Sequence, residues 1–184
     1  MIPSIKNNLI KKIIMKISNE DYKIWENDIF IIECSIDVLL WNKKLINDFQ
    51  ENLDQILDKI REKSDSTLSN SKNLISVSFS GDKKIMELNY NFRKLNSATN
   101  VLSFPSFLRS DKTLFLGDII FSNETICKEA KRDNKSINSH LTHLFIHGVL
   151  HLLGYDHETE EQAKKMQNLE IEILRSINIE NPYD

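Results

Sequence analysis

Hydrophobic residues follow two different spacings along this chain, and the first of them is typical of strands. The run at residues 29–40 is apolar and rich in β-branched residues, and hydrophobic residues alternate with serine around Ile75. Two more short segments, at residues 100–105 and 114–121, also have the composition of strands. They are neighbours in sequence, so we expect them to pair antiparallel. The sequence therefore predicts a sheet of about four strands.

The second spacing places hydrophobic residues three or four positions apart, as on one side of a helix. It predicts about five helices: one at about residues 45–60, one that begins at Asp82, and three at about 123–136, 138–153 and 159–177. Strands in the first part and helices in the last part indicate a single α+β domain, with a small mixed sheet covered by helices.

We expect this domain to span residues 29–184. Residues 1–28 would form an N-terminal extension of uncertain structure, in which residues 1–17 have the spacing of a basic amphipathic helix. A surface helix or a frayed extension is favoured there over a membrane or RNA tether.

The composition is that of a folded globular protein. Hydrophobic residues make up 40% of the 184 residues and charged residues 28%. The net charge of −3 argues against a protein that coats nucleic acid generally, although a local basic patch could still bind phosphate. No apolar run is long enough to span a bilayer and no signal peptide is evident, so we expect a cytoplasmic protein without a membrane partner. Cys34 and Cys127 are far apart and should be reduced thiols.

Three histidines near the C-terminal end have the spacing of a metal site. His147 and His151 are four residues apart, so on a helix they lie one turn apart on the same side and can bind one ion. Gly154 can end this helix in a left-handed conformation, after which the chain would turn His157 toward the pair. Three protein ligands, with a fourth position left for water or substrate, are typical of catalytic zinc. We therefore expect His147, His151 and His157 to bind zinc at the end of a C-terminal helix.

Other assignments of the histidines remain open. His140 and His143 precede His147 at steps of three and four residues, so a ligand set that includes His143 is an alternative. Three ligands on one straight helix would spread over about 12 Å at a rise of ~1.5 Å per residue, which favours His157 as the third ligand. His143 would then lie beside the site or face substrate, and His140 would be structural or exposed. A core helix whose histidines bind backbone carbonyls is the alternative without a metal.

The same histidine spacing occurs in metzincin peptidases, whose pattern is H-E-x-x-H-x-x-G-x-x-H. The chain matches this pattern at every fixed position except one, where Gly148 replaces the glutamate that serves as general base. Because glycine has no side chain to accept a proton, peptide hydrolysis becomes the less favoured alternative. A substrate that gains more from metal and cationic stabilisation fits the sequence better.

Three other segments accompany the histidines: Phe-Arg-Lys at residues 92–94, Ala-Thr-Asn-Val-Leu-Ser-Phe-Pro at 98–105, and Leu-Gly-Asp-Ile at 116–119. Together with the histidine segment, they resemble the YbeY family of bacterial endoribonucleases, which act in ribosomal RNA maturation. The resemblance covers about residues 29–175. The chain departs from it at Asn100, where many family members have aspartate.

The resemblance implies one zinc ion per chain, held by His147, His151 and His157, and a catalytic arginine, Arg93, in the same cleft. It also implies a single-strand-specific endoribonuclease that acts in 16S rRNA 3′-end maturation and ribosome quality control. The partners would be ribosomal RNA, the small ribosomal subunit and ribosome-assembly proteins. Without the resemblance, Arg93 would be interpreted as a solvated arginine at a helix end. A metzincin-like metallopeptidase and a non-catalytic, zinc-stabilised ribosome-assembly factor are the alternatives.

Two further groups of residues allow more than one interpretation. Asp156 could orient a ligand histidine or begin the last helix, and the second role is favoured, with Glu158 and Thr159 as other candidate starts. Four basic residues share one side of the predicted helix at 123–136 and could contact RNA, although such stripes are usually only solvated: Lys128, Lys131, Arg132 and Lys135.

Overall fold

The structure is a computed structural model, and it describes residues 20–64, 68, 72–110 and 112–184. The basic helix predicted for residues 1–17 lies outside the described residues. None of the described helices is both long enough and apolar enough to cross a membrane.

A mixed sheet forms the centre of the described fold, with strand order β1-β2-β3-β5-β4. Strands β2, β3 and β5 are parallel, whereas β1 pairs antiparallel with β2 and β4 pairs antiparallel with β5. The α+β class and the antiparallel pairing of β4 with β5 are confirmed. The five strands are Glu20–Glu26 (β1), Phe30–Asp37 (β2), Lys72–Ser80 (β3), Val101–Arg109 (β4) and Thr113–Ser122 (β5).

The sheet therefore has one more strand than the pattern predicted, because β1 lacks a clear hydrophobic alternation. It lies at the edge of the sheet, and its Ile24 is 59% exposed. The strand predicted at residues 29–40 ends early, at Asp37. The Asp37 carboxylate accepts the Leu39 N–H at 3.0 Å and the Asp37 carbonyl accepts the Trp41 N–H at 2.9 Å, so the chain turns there.

Six helices surround this sheet in the described part of the chain, where about five were predicted. The hydrophobic spacing over residues 45–60 belongs to two helices that meet at Asn52. The Asn52 amide donates to the Asp48 carbonyl at 2.9 Å, a local bond that ends the first helix. The helices are Lys43–Glu51 (α1), Leu53–Lys63 (α2), Asp82–Arg93 (α3), Asn123–Arg132 (α4), Ile137–Leu152 (α5) and Glu160–Ser176 (α6).

The two faces of the sheet pack against different helices. Ile119 and Phe121 of β5 belong to the main core, which includes residues of α1, α2, α5 and α6. Ile120 lies between them in sequence and therefore points to the opposite face, where it packs with Ile85 of α3 and Leu102 of β4. Helix α5 and helix α3 thus lie on opposite faces near the edge strand β4. Cys34 and Cys127 are free thiols, as expected.

The pairing between β4 and β5 is irregular near Gly117 of β5. Gly117 pairs with Pro105, and the register between the two strands shifts between Pro105 and Leu108. Its φ of +142° lies in a region that side chains rarely allow, and a Cβ there would lie 2.2 Å from the Phe104 carbonyl oxygen. The glycine of the Leu-Gly-Asp-Ile segment is therefore required by the backbone.

Candidate active site

Helix α5 carries two of the predicted ligands, and its C-terminal end positions the third. His147 and His151 lie in its last two turns, and Gly154 follows with a φ of +89°. The Tyr155 N–H donates to the Leu150 carbonyl at 3.0 Å, which closes a left-handed helix end. The chain then reverses and brings His157 back to the helix, as the sequence predicted.

The three histidines converge on one point. The Nε2 atoms of His147 and His151 are 3.0 Å apart, and one nitrogen from each of the three rings lies within 4.8 Å of the others. Two nitrogens bound tetrahedrally at ~2.0–2.1 Å from one ion would be about 3.3 Å apart, so the geometry fits a single metal ion. Three neutral nitrogen donors suit zinc and other first-row divalent ions.

In His147 and His151, the ring nitrogen that does not face the metal position forms a hydrogen bond. His147 Nδ1 is 2.8 Å from Glu170 Oε1, and His151 Nδ1 is 3.0 Å from the Tyr155 carbonyl oxygen. Both partners accept, so each Nδ1 carries the proton and each Nε2 has its lone pair available. Burial, followed by the neighbouring His147 and His157, lowers the pKa of His151, which favours the neutral ring that a metal needs.

Glu170 is a residue of this site that the sequence did not reveal. It is completely buried, and its second oxygen is 3.1 Å from His143 Nε2 and accepts a hydrogen bond from the Tyr183 hydroxyl. Burial alone would raise the pKa of its carboxyl, but hydrogen bonds from His143, His147 and Tyr183 lower it to about 2. One feature of the sequence could have revealed Glu170. It lies on the buried side of α6, one turn after Met166, where an apolar residue is expected.

We predict that Glu170→Gln weakens metal affinity by about 10- to 100-fold, because residues that orient a metal-binding histidine contribute that much. The amide is as large as the carboxylate, but its oxygen is a weaker acceptor for the His147 N–H. Competition for the metal with a chromophoric chelator measures the change.

Glu172→Gln is the matched control, since Glu172 lies on the same helix and its side chain is 60% exposed. Equal metal affinity of the Glu170→Gln variant and the Glu172→Gln control would rule out the orienting role of Glu170.

Arg93 enters the same cleft from the other side. It is the last residue of α3, which ends because Lys94 adopts a left-handed conformation with φ of 60°. Arg93 is exposed, and its side chain makes no hydrogen bond or ion pair with the described residues. A cleft of roughly 600 Å³ is lined by Arg93 together with His147, His151 and His157. The structure therefore brings the four predicted site residues to one cavity.

Polar residues on the remaining wall of the cleft include Asn100, Ser103 and Asp156. Asn100 accepts the Val101 N–H at 2.7 Å, and its amide donates to Glu129 at 2.9 Å, a bond that an ionised aspartate could not make. Asp156 accepts the N–H of His157 at 2.8 Å. Its favoured role as the start of the last helix is wrong, because Thr159 caps α6 with a reciprocal capping box.

Gly148 faces the sheet, where it packs against Ile119 and the cleft residue Ser103. A Cβ at this position would lie 3.1 Å from both the Ile119 Cδ1 and the Ser103 Oγ, so α5 packs closely on the sheet here. A glutamate at residue 148 could not reach the metal site without displacing this contact.

We therefore predict that Gly148→Glu, which restores the peptidase pattern, lowers the free energy of unfolding by more than about 2 kcal/mol. It should also produce no peptide hydrolysis. Denaturant unfolding and a peptide-cleavage assay measure the two effects. A stable variant that cleaves peptides would show that position 148 can serve as a base.

Comparison with known proteins decides the family. A family model described as endoribonuclease YbeY matches residues 35–178. The chain belongs to the endoribonuclease YbeY family. The endoribonuclease YbeY of Bartonella quintana is 44% identical over 157 residues, which are 83% of this chain and 96% of the relative. That of Bartonella henselae is 40% identical over 158 residues, 81% of this chain and 96% of the relative.

A solution structure of TM1509 from Thermotoga maritima is also similar, with a TM-score of 0.47 and 26% identity over 75% of this chain and 88% of that chain. The family and sequence matches confirm the resemblance that the motifs indicated. Membership in the YbeY family makes the chain a hydrolytic nuclease.

The other two helical histidines lie outside the metal cluster of this YbeY family member. His143 Nε2 bonds to Glu170, and the centre of its ring is 6.4 Å from that of His147. The geometry therefore does not assemble the alternative ligand set that included His143. His140 Nε2 is 2.8 Å from Glu129 Oε2 and its side chain is 10% exposed, so its role is structural.

The basic stripe on α4 is smaller than the sequence predicted. The helix ends at Arg132 instead of continuing to residue 136, and Asn134 adopts a φ of +52° just after it. Arg132 forms a two-pronged ion pair with Asp133, and Lys135 bonds to the Pro182 carbonyl in the C-terminal segment. These four positions therefore do not form one continuous helical face.

Proposed function

We propose that this protein is a zinc-dependent, single-strand-specific endoribonuclease. Its substrate would be ribosomal RNA of the small subunit, in 16S rRNA 3′-end maturation and in ribosome quality control, in the cytoplasm. The observation that carries the proposal is one cleft in which three converging histidines face an arginine whose side chain pairs with no described residue. Membership in the endoribonuclease YbeY family supports the reaction class.

The chain supplies both the metal ligands and a cation for the substrate. His147, His151 and His157 would hold the ion, which when bound acts as a Lewis acid and lowers the pKa of water. Arg93 would bind two oxygens of the phosphodiester and stabilise the negative charge that develops there during attack. Its guanidinium has no competing partner among the described residues, so it is available to the phosphate.

Hydrogen bonds from residues that are not metal ligands hold the three histidines in position. Glu170 and the Tyr155 carbonyl hold the rings of His147 and His151, and Asp156 holds the backbone of His157. The ligands therefore need little rearrangement, which is the condition for strong electrostatic stabilisation of a transition state. Gly148 supplies no base, so this site differs from that of the metzincin peptidases.

The experiment that tests the proposal uses the purified full-length protein with its metal content measured by elemental analysis. Single-stranded RNA, duplex RNA and a peptide panel are offered as substrates before and after chelation. We expect cleavage of single-stranded RNA alone, lost on chelation and restored by zinc. Peptide cleavage without RNA cleavage at full metal occupancy would overturn the proposal.

A further inference from the structure

The C-terminal end of α3 and the residues just after it expose several large apolar side chains. Phe92 is 68% exposed, Tyr90 is 56% exposed and Leu95 is 54% exposed. The helix contributes only Ile85 and Asn89 as buried residues, so these three side chains are not needed to complete a core. Phe92, the most exposed of the three, is therefore available to contact a ligand bound at the cleft.

One of these side chains rests on an aromatic ring that the fold holds in place. The ring centres of Phe92 and Phe104 are 5.0 Å apart, with their planes inclined by 55°. Phe104 packs against the cluster of Ile85, Leu102 and Ile120, which fixes its position. Phe92 therefore has a rigid support on one side while most of its surface stays open to a ligand. We call Phe92 and Phe104 the aromatic platform.

The aromatic platform adjoins the cleft through an open edge of the sheet. Arg93 follows Phe92 directly, and Ser103 and Pro105, on either side of Phe104, both line the cleft. Because side chains alternate along a strand, Phe104 lies on the opposite face of β4 from these two neighbours. Strand β4 is at the edge of the sheet, so an extended ligand could pass from the cleft over this edge to the platform.

Two basic residues, Arg93 and Lys94, follow Phe92 directly in sequence, and this combination favours a nucleic acid as the ligand. Lys94 lies next to Arg93, and its Nζ is 6.0 Å from the centre of the Tyr90 ring. Cations that attract phosphates, alternating with exposed aromatic rings that stack on bases, are the combination by which proteins bind single-stranded nucleic acids. A purely apolar partner surface would leave these cations without counter-charges.

We propose that the aromatic platform stacks a nucleobase that flanks the scissile phosphate of single-stranded RNA. The inference rests on the proposed function and names the structural element that recognises the substrate. A base inside a duplex is covered by its neighbours and cannot stack on Phe92, so the platform would favour single strands.

The test measures binding of a fluorescent single-stranded RNA oligonucleotide to the metal-loaded full-length protein by rapid mixing, before cleavage products accumulate. Phe92→Ala should weaken binding by about 5- to 100-fold, the effect of removing one stacking ring. Phe92→Leu should also bind weakly, because it keeps apolar bulk without a ring, whereas Phe92→Trp should restore affinity. Leu108→Ala is the matched control, since Leu108 is an apolar residue that is 73% exposed on β4, toward the end of the strand far from the cleft.

An oligonucleotide with an abasic position gives an independent readout. Wild-type protein should bind it more weakly than the intact RNA, and Phe92→Ala should not distinguish the two. If Phe92→Ala or Phe92→Leu binds RNA as tightly as wild type, stacking is overturned and the apolar surface serves a protein partner. If wild-type protein does not bind single-stranded RNA at all, the proposed function fails together with this inference.

Discussion

His147→Ala should reduce RNA cleavage by about a thousand-fold or more while the protein stays folded. The substitution removes one of three converging nitrogens, and the two that remain cannot hold the ion firmly. The fold should survive because His147 borders the cleft, and the main core is formed by the sheet and the helices around it. Glu170 keeps hydrogen bonds from His143 and Tyr183.

Three measurements on the purified variant check this result: elemental analysis, cleavage kinetics and thermal unfolding. His140→Ala is the matched control, because His140 lies on the same helix and bonds to a carboxylate outside the metal cluster. Loss of the fold in His147→Ala would instead support a structural metal, as in a non-catalytic assembly factor. Full cleavage activity without bound metal would contradict the role of His147 altogether.

Arg93→Ala should lower kcat by about 100- to 1,000-fold, the usual cost of removing one group that stabilises transition-state charge. Metal content should not change, because Arg93 contacts none of the histidines in the described structure. Arg93→Lys should recover only part of the rate, since lysine keeps the charge but not the planar pair of donors. Single-turnover cleavage of a defined RNA separates this effect from product release.

Arg109→Ala provides the control for general loss of positive charge, because Arg109 is an exposed arginine at the far end of β4. A change confined to KM in Arg93→Ala would assign this arginine to substrate binding alone. The catalytic role proposed for it would then be wrong.

The spacing of hydrophobic residues and of histidines along the sequence was sufficient to predict most of the secondary structure and the convergence of the three histidines. His147, His151 and His157 lie within eleven residues, and helix geometry together with Gly154 determines where they point. Strand β1 and the break at Asn52 were missed for a different reason. An edge strand needs little hydrophobic alternation, and a side-chain bond to the backbone can interrupt a helix without disturbing its periodicity.

Contacts between distant parts of the chain could not be predicted in this way. Glu170 meets His147 across 23 residues, and Tyr183 reaches Glu170 from the C-terminal segment. The first contact depends on how α6 packs against α5 and the second on how the C-terminal segment folds back on α6, and no local pattern encodes either. The place of Arg93 in the cleft was anticipated only from the family resemblance, because an arginine at a helix end is usually solvated.

The irregular pairing at Gly117 also bears on how the molecule behaves at high concentration. An edge strand with a regular row of free donors and acceptors invites a second sheet to join it, which leads to aggregation. The register shift between Pro105 and Leu108 interrupts that row and increases the local twist. The edge beside the cleft is therefore a poor template for another protein strand, and stays accessible to ligands in a crowded solution.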